Sequence, residues 1–402
     1  MNQIQQPQAF QFHYSALESV TSGSPAESAL ASLVKKHQAK RVLLLGSATL
    51  GEAVHDFAAV KHAVEAVDPE IKLQTFCKIR THTPREDVLQ AIDLAHELAT
   101  DLLISVGGGS IIDACKVVQL ALNQNLRTEQ ELVEYAQASD GTRGSKAGNM
   151  RLFSTPSLVR QIAVPTTLSG AEFSNNAGVL NTKSSSKEGY KGIDLCPREI
   201  VYDPFIAQHT PEWLWLSTAI RSLDHAIEGY CSGDAHPFLQ GNFLHAIKLF
   251  GESLPLVKQE PRNVSARSTN QQAVWLACCG LGTVAHGASH GIGYILGSFC
   301  GVPHGLTSCV MLPAVLEWNE KNAAELQAPI SQALGRTDLT AANAVRALVS
   351  SLGLPVSLRE VGVIQSDLRE IAQRAFKHPV VKKNPRQIES VAQVEEILQI
   401  AW

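Results

Sequence analysis

The sequence predicts a chain in two parts, an α/β half built on a mostly parallel sheet and an all-helical half behind it. Three observations carry this. First, short continuous apolar runs alternate with helix-spaced segments through the first half of the chain. Such runs, bounded by turn residues, are strands buried on both faces, and their alternation with helices implies a parallel sheet covered by helices. Second, the apolar run DLLISV passes straight into GGGSIIDACK, a glycine turn that opens a helix. Third, beyond Asp203-Pro204 the β-branched runs thin out and nearly every segment as far as Trp402 has helical spacing.

Taken in order, SPAESALASLVKKH reads as a helix, with Ser24 as N-cap, Pro25 at the first helical position and Glu27 closing a capping box. RVLLLG is a buried strand. REDVLQAIDLAHELAT places Val88, Ile92 and Ala95 on one helical face. RQIAVP and REIVYDP are further strands. TPEWLWLSTAIRSLDHAIEGY is a single helix capped at Thr210, with Pro211 just inside. The Gly/Ser-rich stretch 137–156 reads as a surface loop, either mobile or a lid. The change of pattern at 205–210 divides the chain into domains 1–207 and 208–402. No internal repeat is visible.

At 402 residues, 45% apolar and 18% charged, the chain is long enough for two hydrophobic cores and ordinary for a globular protein. A net charge of −4 carries no footprint of a nucleic-acid or anionic-membrane partner. No apolar run reaches the ~18 residues of a membrane span. The opening MNQIQQPQAFQFHYSALES lacks the basic and apolar regions of a signal peptide. The eight cysteines form no CxxC pair and read as reduced, mostly buried thiols. The expectation is a cytoplasmic protein whose partner is a small-molecule substrate, with no nucleic acid and no membrane.

The candidate chemistry sits in three places. At Gly107, Gly108, Gly109 and Ser110, glycines let backbone N–H groups approach a ligand, and a helix start adds partial positive charge; together these suit a phosphate. The spacing is neither G-x-G-x-x-G nor a Walker loop, so a plain tight turn is the competing reading. In AVPTTLSGAEFSN, the hydroxyls of Thr166, Thr167 and Ser169 could bond a ribose or a phosphate, or merely cap the next turn. In GASHGIGYILG, a helix would put His286, His290 and Tyr294 on one face, one turn apart. That pattern suits a metal, a proton-transfer site or a polar patch in a helical core.

These motifs, in this order, resemble the iron-containing alcohol dehydrogenase family of the dehydroquinate synthase-like superfamily. The resemblance runs from RVLLLG to NPRQIESV through GGGS, PTTLSGAE, Asp203-Pro204, DHAIEGY and SHGIGYILG…GVPHG. HTP at 82–84, the PTT-x-x-G-x-E spacing and LGLPVSLREVG look most like the maleylacetate reductase branch. The resemblance implies a Rossmann-like NAD(P)-binding domain, a helical domain, and an active site in the cleft between them. By position, Gly107, Gly108, Gly109 and Ser110 would hold the pyrophosphate. Thr166, Thr167 and Ser169 would line the nucleotide site, and Lys187 would point towards the cofactor. Where NAD-preferring members often carry an Asp after the first strand, this chain has Gly46-Ser47, so a 2′-phosphate is not repelled at Ser47 and NADP or NAD is admissible. Related proteins commonly form homodimers or larger homo-oligomers, and the same is expected here.

The family's metal-dependent members use one Asp and three His. Carried over, the histidines fall on His225, His290 and His304, but the Asp position is Arg221 and the usual proton-transfer histidine is Tyr294. Two unit charges at ~4 Å and effective ε ~20 interact by roughly 4 kcal/mol, and a divalent ion doubles that. A guanidinium in place of a carboxylate therefore weighs heavily against a metal unless it turns away or pairs, for example with Asp224 on the helix surface. Three histidines with an open position still suit zinc, whereas iron(II) usually takes a carboxylate as well. Alternatively Arg221 supplies the positive charge itself, holding a carboxylate or oxyanion bidentately. A phenol, with an ordinary pKa of about 10, is a poor base at neutral pH but a competent hydrogen-bond donor. His286 either lines the cleft or is a satisfied core histidine.

The expected function is NAD(P)H-dependent reduction of a carbonyl or activated C=C in a small acidic or oxygenated substrate, with Arg221, His225, His290, Tyr294 and His304 as catalytic groups. A non-redox lyase, isomerase or cyclase using Arg221, Tyr294 and the cleft histidines is the alternative. A binding protein without catalysis is the third reading.

Overall fold

The computed structural model describes residues 10–53, 55–138, 142–148, 159–184, 186–192 and 194–402. Among the described residues there are nine strands: β1 Ser19–Ser22, β2 Arg41–Gly46, β3 Lys72–Phe76, β4 Leu102–Gly107, β5 Gln137–Ala138, β6 Gln161–Pro165, β7 Asn176–Asn181, β8 Ser186–Lys191 and β9 Glu199–Tyr202. Six of them form one sheet in the order β1-β9-β6-β4-β2-β3, parallel throughout. The others form a small antiparallel sheet in the order β5-β8-β7.

The helices of the first half are α1 Ala26–Lys36, α2 Ala48–Ala53, α3 His55–Glu65, α4 Arg85–Glu97, α5 Gly109–Gln124 and α6 Glu129–Val133. The period-two alternation of a strand divides them between two faces. Leu43, Leu45 and Leu103 pack with α4 and α5, whereas Val42, Leu44, Leu102 and Ile104 pack with α1 and α3. Burial on both faces is why RVLLLG and DLLISV are continuous apolar runs.

The second half contains α7 Glu212–Cys231, α8 Pro237–Gln259, α9 Val264–Cys278, α10 Ala288–Cys300, α11 His304–Ala333, α12 Ala341–Ser351, α13 Leu368–Lys377 and α14 Val391–Ile400. Helix α7 is central: it packs on α8, α9 and α11 and is buried almost all round. No described helix is long and apolar enough to cross a membrane.

Two cap assignments differ from expectation. Helix α1 starts at Ala26, and its first N–H is taken by Asp203 Oδ2 at 2.7 Å rather than by Ser24. A buried carboxylate from the end of the neighbouring strand β9 outcompetes the local serine as acceptor, and no capping box with Glu27 forms. Thr210 likewise spends its hydroxyl elsewhere, on the Thr166 carbonyl at 2.5 Å, so α7 has no side-chain cap. Of the stretch 137–156, residues 139–141 and 149–156 lie outside the described residues. Its start is not a loop but strand β5, paired with β8.

Candidate active site

The parallel sheet fixes where a ligand can sit. From β2 the chain steps to β3 on one side and then crosses to β4 on the other. The crevice outside the carboxyl ends of β2 and β4 is therefore the topological switch point, where open α/β sheets bind ligands. Ser47 follows β2, Gly108–Ser110 follow β4, and Thr166 and Thr167 follow β6. A cavity of about 2040 Å³ opens there, walled on the far side by the helical half. Ser47, Gly108, Gly109, Ser110, Thr166, Thr167, Ser169 and Lys187 line it from the first half, and Arg221, His225, His286, Tyr294 and His304 from the second. Gly107 and His290 stand behind the wall.

The glycine turn is shaped for close approach. A Cβ on Gly108 would meet Thr167 Cγ2 at 2.9 Å, and one on Gly109 would meet Ser169 Oγ at 3.1 Å. Helix α5 begins at Gly109 with no side-chain cap; Ile111 and Ile112 N–H bond the Gly108 carbonyl, and Gly109 and Ser110 stand at the cavity wall with the positive end of the helix dipole. This cradle fits a phosphate group.

Under the Thr167–Ser169 loop lies a second buried polar cluster. Glu172 is fully buried; its Oε1 accepts the Tyr202 hydroxyl at 2.6 Å and its Oε2 has no partner. Burial pushes its pKa up to about 7 from the usual carboxylate range. The folded-state pKa is raised, so the stabilising contribution is complete below about pH 4.5 and is lost as pH rises through about 7. Glu172→Gln is expected to remove this fall, worth up to ~3 kcal/mol. Thermal melts of both proteins between pH 5 and pH 8 check it: a slope unchanged by the substitution contradicts the assignment.

On the opposite wall, α7 projects Arg221, Asp224, His225 and Glu228 at i, i+3, i+4 and i+7, a single helical face. Arg221 is 7% exposed; its Nη1 donates to Ser308 Oγ at 3.1 Å, and its guanidinium carbon lies 5.5 Å from the centre of the Tyr294 ring. Asp224 is its counter-ion at 3.9 Å, but the pair is buried rather than on the helix surface. Asp224 Oδ2 also accepts from Ser289 and Ser308, each at 2.7 Å. Helices α7 and α11 come together here because Gly305 has no side chain: a Cβ would lie 2.8 Å from the Ser217 backbone.

Glu228 is the organising residue that sequence reading passed over. Its carboxylate accepts the N–H groups of Gly287, Ser289 and His290 at 2.9, 2.8 and 3.3 Å, capping α10 from across the site, and contacts His290 Nδ1 at 2.7 Å. Burial and the neighbouring Asp224 raise its pKa while the backbone N–H groups pull it down. The one available signal was its place in DHAIEGY, one turn beyond His225.

His286 is not on the helix with His290 and Tyr294: α10 starts at Ala288, two residues later. Its ring nevertheless stacks on His290, with centroids 4.1 Å apart. His225 Nδ1 lies 2.9 Å from His286 Nε2 and 2.8 Å from His290 Nε2. His304 is placed differently, with Nε2 facing the Lys187 ammonium at 3.0 Å. Burial, with Arg221 adding its charge, lowers all four imidazole pKa values, His286 to about 3, so the rings are neutral at physiological pH.

A parallel sheet with a glycine cradle at its switch point, facing a helical wall of imidazoles and a guanidinium, is an arrangement suited to a nucleotide-dependent enzyme. The chain belongs to the iron-containing alcohol dehydrogenase family: the family's N-terminal profile, "Iron-containing alcohol dehydrogenase", matches residues 18–204, and "Fe-containing alcohol dehydrogenase family, C-terminal" matches residues 215–402. It is accordingly an NAD(P)-dependent oxidoreductase, and neither the lyase-type nor the binding-protein reading gains support from the comparisons. Dehydrogenase FUM7 of Gibberella moniliformis is 31% identical over 356 residues, 80% of this chain and 82% of its own. Maleylacetate reductase of Delftia acidovorans is 27% identical over 341 residues, 84% of each chain. Two solved structures share the fold: 1,3-propanediol oxidoreductase (24% identity, TM-score 0.85, 98% of this chain and 100% of that one) and maleylacetate reductase from Agrobacterium tumefaciens (23%, 0.79, 98% and 99%).

The family uses a metal, typically iron, as well as NAD(P). The residues at the positions implied by the resemblance do not form an Asp/His shell for it. Arg221 occupies the carboxylate position, and His304 Nε2 is turned to an ammonium.

Proposed function

We propose that this protein uses NAD(P)H to reduce the carbonyl or activated C=C of a small acidic substrate, a maleylacetate-type compound being the nearest chemical example. One observation carries the reading: among the described residues lining the cavity, Lys187, Lys191, Arg221 and Lys383 join Arg80 as cations, against Asp113 as the single carboxylate. A chain with a net charge of −4 has thus gathered positive charge into its cleft. That suits a dinucleotide beside a carboxylate-bearing substrate, since a cleft lined by one sign of charge focuses the field on its ligand.

Residues 1–207 are read as the nucleotide-binding domain and 208–402 as the domain of the chemistry. The N–H groups at Gly107, Gly108, Gly109 and Ser110 hold the pyrophosphate, and Thr166, Thr167 and Ser169 bond the adjoining ribose and phosphate. Ser47 offers a hydroxyl and no repelling charge, which admits NADP as readily as NAD. When bound, the dihydronicotinamide supplies a hydride to the electrophilic carbon. Arg221 holds the developing oxyanion or a substrate carboxylate in its planar fork. Tyr294, in face-on contact with that guanidinium, donates a hydrogen bond to the same oxygen. Lys187 and His304 close the opposite side of the pocket, and His225 and His290 support the α7 wall. A homodimer or larger homo-oligomer is the assembly we expect, checked by light scattering on the purified chain.

Fluorescence titration of the purified protein with NADPH and NADH tests the nucleotide, and oxidation followed at 340 nm with maleylacetate tests the reaction. Binding of neither nucleotide, or turnover without one, contradicts the reading. Gly108→Ala is expected to weaken nucleotide binding ~10–100-fold, because the new methyl displaces Thr167 from the cradle. An unchanged dissociation constant in the same titration places the pyrophosphate elsewhere.

A further inference from the structure

We infer that His82 is a substrate-recognising residue, its imidazole donating a hydrogen bond to the carboxylate that Arg221 does not hold. Resting on the reductase reading, this narrows the substrate from small acids in general to those with two carboxylates.

The backbone is the first observation. His82 and Thr83 lie between β3 and α4, at the carboxyl edge of the sheet where ligands sit. Both have φ in the left-handed region, +65° and +57°. Glycine or asparagine takes that conformation readily, whereas a β-branched threonine there is an outlier. Such residues persist only where their surroundings over-determine them. Here they do. The His82 N–H donates to Ser110 Oγ at 3.2 Å, the Thr83 hydroxyl to the Ser110 carbonyl at 3.0 Å, and the Leu180 N–H to the Thr83 carbonyl at 2.9 Å. Just upstream, Arg80 is fixed on Asp87, its N–H at 2.9 Å and its Nη2 at 2.7 Å from the carboxylate.

The two side chains fare differently. Thr83 is buried and its hydroxyl is engaged. His82 is exposed on the cavity wall, and among the described residues its ring has no hydrogen bond, ion pair or ring contact. A strained backbone, clamped on both sides, thus presents an imidazole that nothing in the chain holds. Strain of this kind gathers at ligand clamps.

The position of the ring says which ligand. Its backbone rests on Ser110 at the glycine turn. Burial chiefly lowers the His304 pKa, and Lys187, Arg221 and His82 add to it, so the His82 ring is within electrostatic reach of His304. The imidazole therefore belongs to the side of the pocket formed by Lys187 and His304. An imidazole carries at least one N–H in either protonation state and can donate to a carboxylate oxygen. Asp113, which could compete for that N–H from the wall, is already engaged by the Gly178 N–H at 2.9 Å and the Lys116 ammonium at 3.2 Å.

The test is calorimetric binding of adipate and hexanoate, six-carbon acids with two carboxylates and one, to the full-length protein in excess NADPH. Wild type, His82→Gly and His82→Asn are compared. Both replacements accept the left-handed backbone, and thermal melts close to wild type show that the turn survives. Wild type is expected to bind adipate more tightly than hexanoate. Each variant should lose about 10–100-fold in adipate affinity, the effect of one hydrogen bond to a charged group. Hexanoate and NADPH affinities should stay within about threefold of wild type, since neither ligand reaches the imidazole. With maleylacetate the loss should fall on KM and leave kcat within about threefold, a split that a merely structural role would not produce. A wild type with no preference for adipate, adipate affinity unchanged in the variants, equal losses for both acids, or a parallel loss of NADPH affinity overturns the proposal. A wild type that prefers adipate through His82 yet never oxidises NADPH with maleylacetate sinks the reductase reading and leaves the recognition role standing.

Discussion

Arg221→Ala is expected to lower kcat/KM for an acidic carbonyl substrate by about 10²–10³, some 3–4 kcal/mol of transition-state stabilisation. The guanidinium is buried at the cleft wall, aimed by Ser308 and by its face-on contact with Tyr294. In such a setting a fixed charge needs little reorganisation as the oxyanion develops. Arg221→Lys should recover little, because an ammonium lacks the planar fork and hydrates more strongly. NADPH oxidation at 340 nm measures the loss, and nucleotide affinity should stay near wild type because the cradle is on the opposite wall. Wild-type rates in the alanine variant contradict the assigned role. A proportional loss of nucleotide binding indicates collapse of the cleft instead.

The second large effect is on stability. Glu228→Ala should cost about 3–5 kcal/mol, in the range for stranding buried polar partners. Three backbone N–H groups at the start of α10 lose their acceptor at once, and His290 loses the group that fixes its ring. Glu228→Gln keeps one acceptor oxygen and should cost less. Urea unfolding of the three proteins orders them, and a Glu228→Ala variant as stable as wild type shows that the carboxylate is not what holds α10.

The central strands and the long helices were legible because their signals are local and strong. RVLLLG and DLLISV have no face that water must wet, and the helix of TPEWLWLSTAIRSLDHAIEGY carries its own periodicity. Strands β1 and β3 flank the sheet, and β7 and β8 form a small ribbon. With half-wetted sequences such as SVTS, KLQTF and SKEGYK, they offer no apolar run to read. The glycine turn was legible because close approach demands particular residues. The histidine geometry was not. Whether His286 or His304 joins His225 depends on the direction of the chain before α10 and on the reach of Lys187 from a sheet that the sequence pattern did not reveal. Helix spacing put His286 on α10, whereas the carboxylate of Glu228 captures the Gly287 N–H and starts the helix just afterwards.

Asp203 carries a consequence for how this protein can be taken apart. One of its oxygens grips the start of α1, and the other holds the Phe205 and Ile206 N–H groups that turn the chain towards α7. Beside it, Leu168, Ile200 and Tyr202 share a single apolar core with Trp215, Phe243 and Phe250. Recombining one half with the partner half of a relative would tear that shared interior and leave a carboxylate stranded in oil. Exchange of specificity between members is therefore better sought by regrafting cleft side chains than by splicing at the corner where the two halves meet.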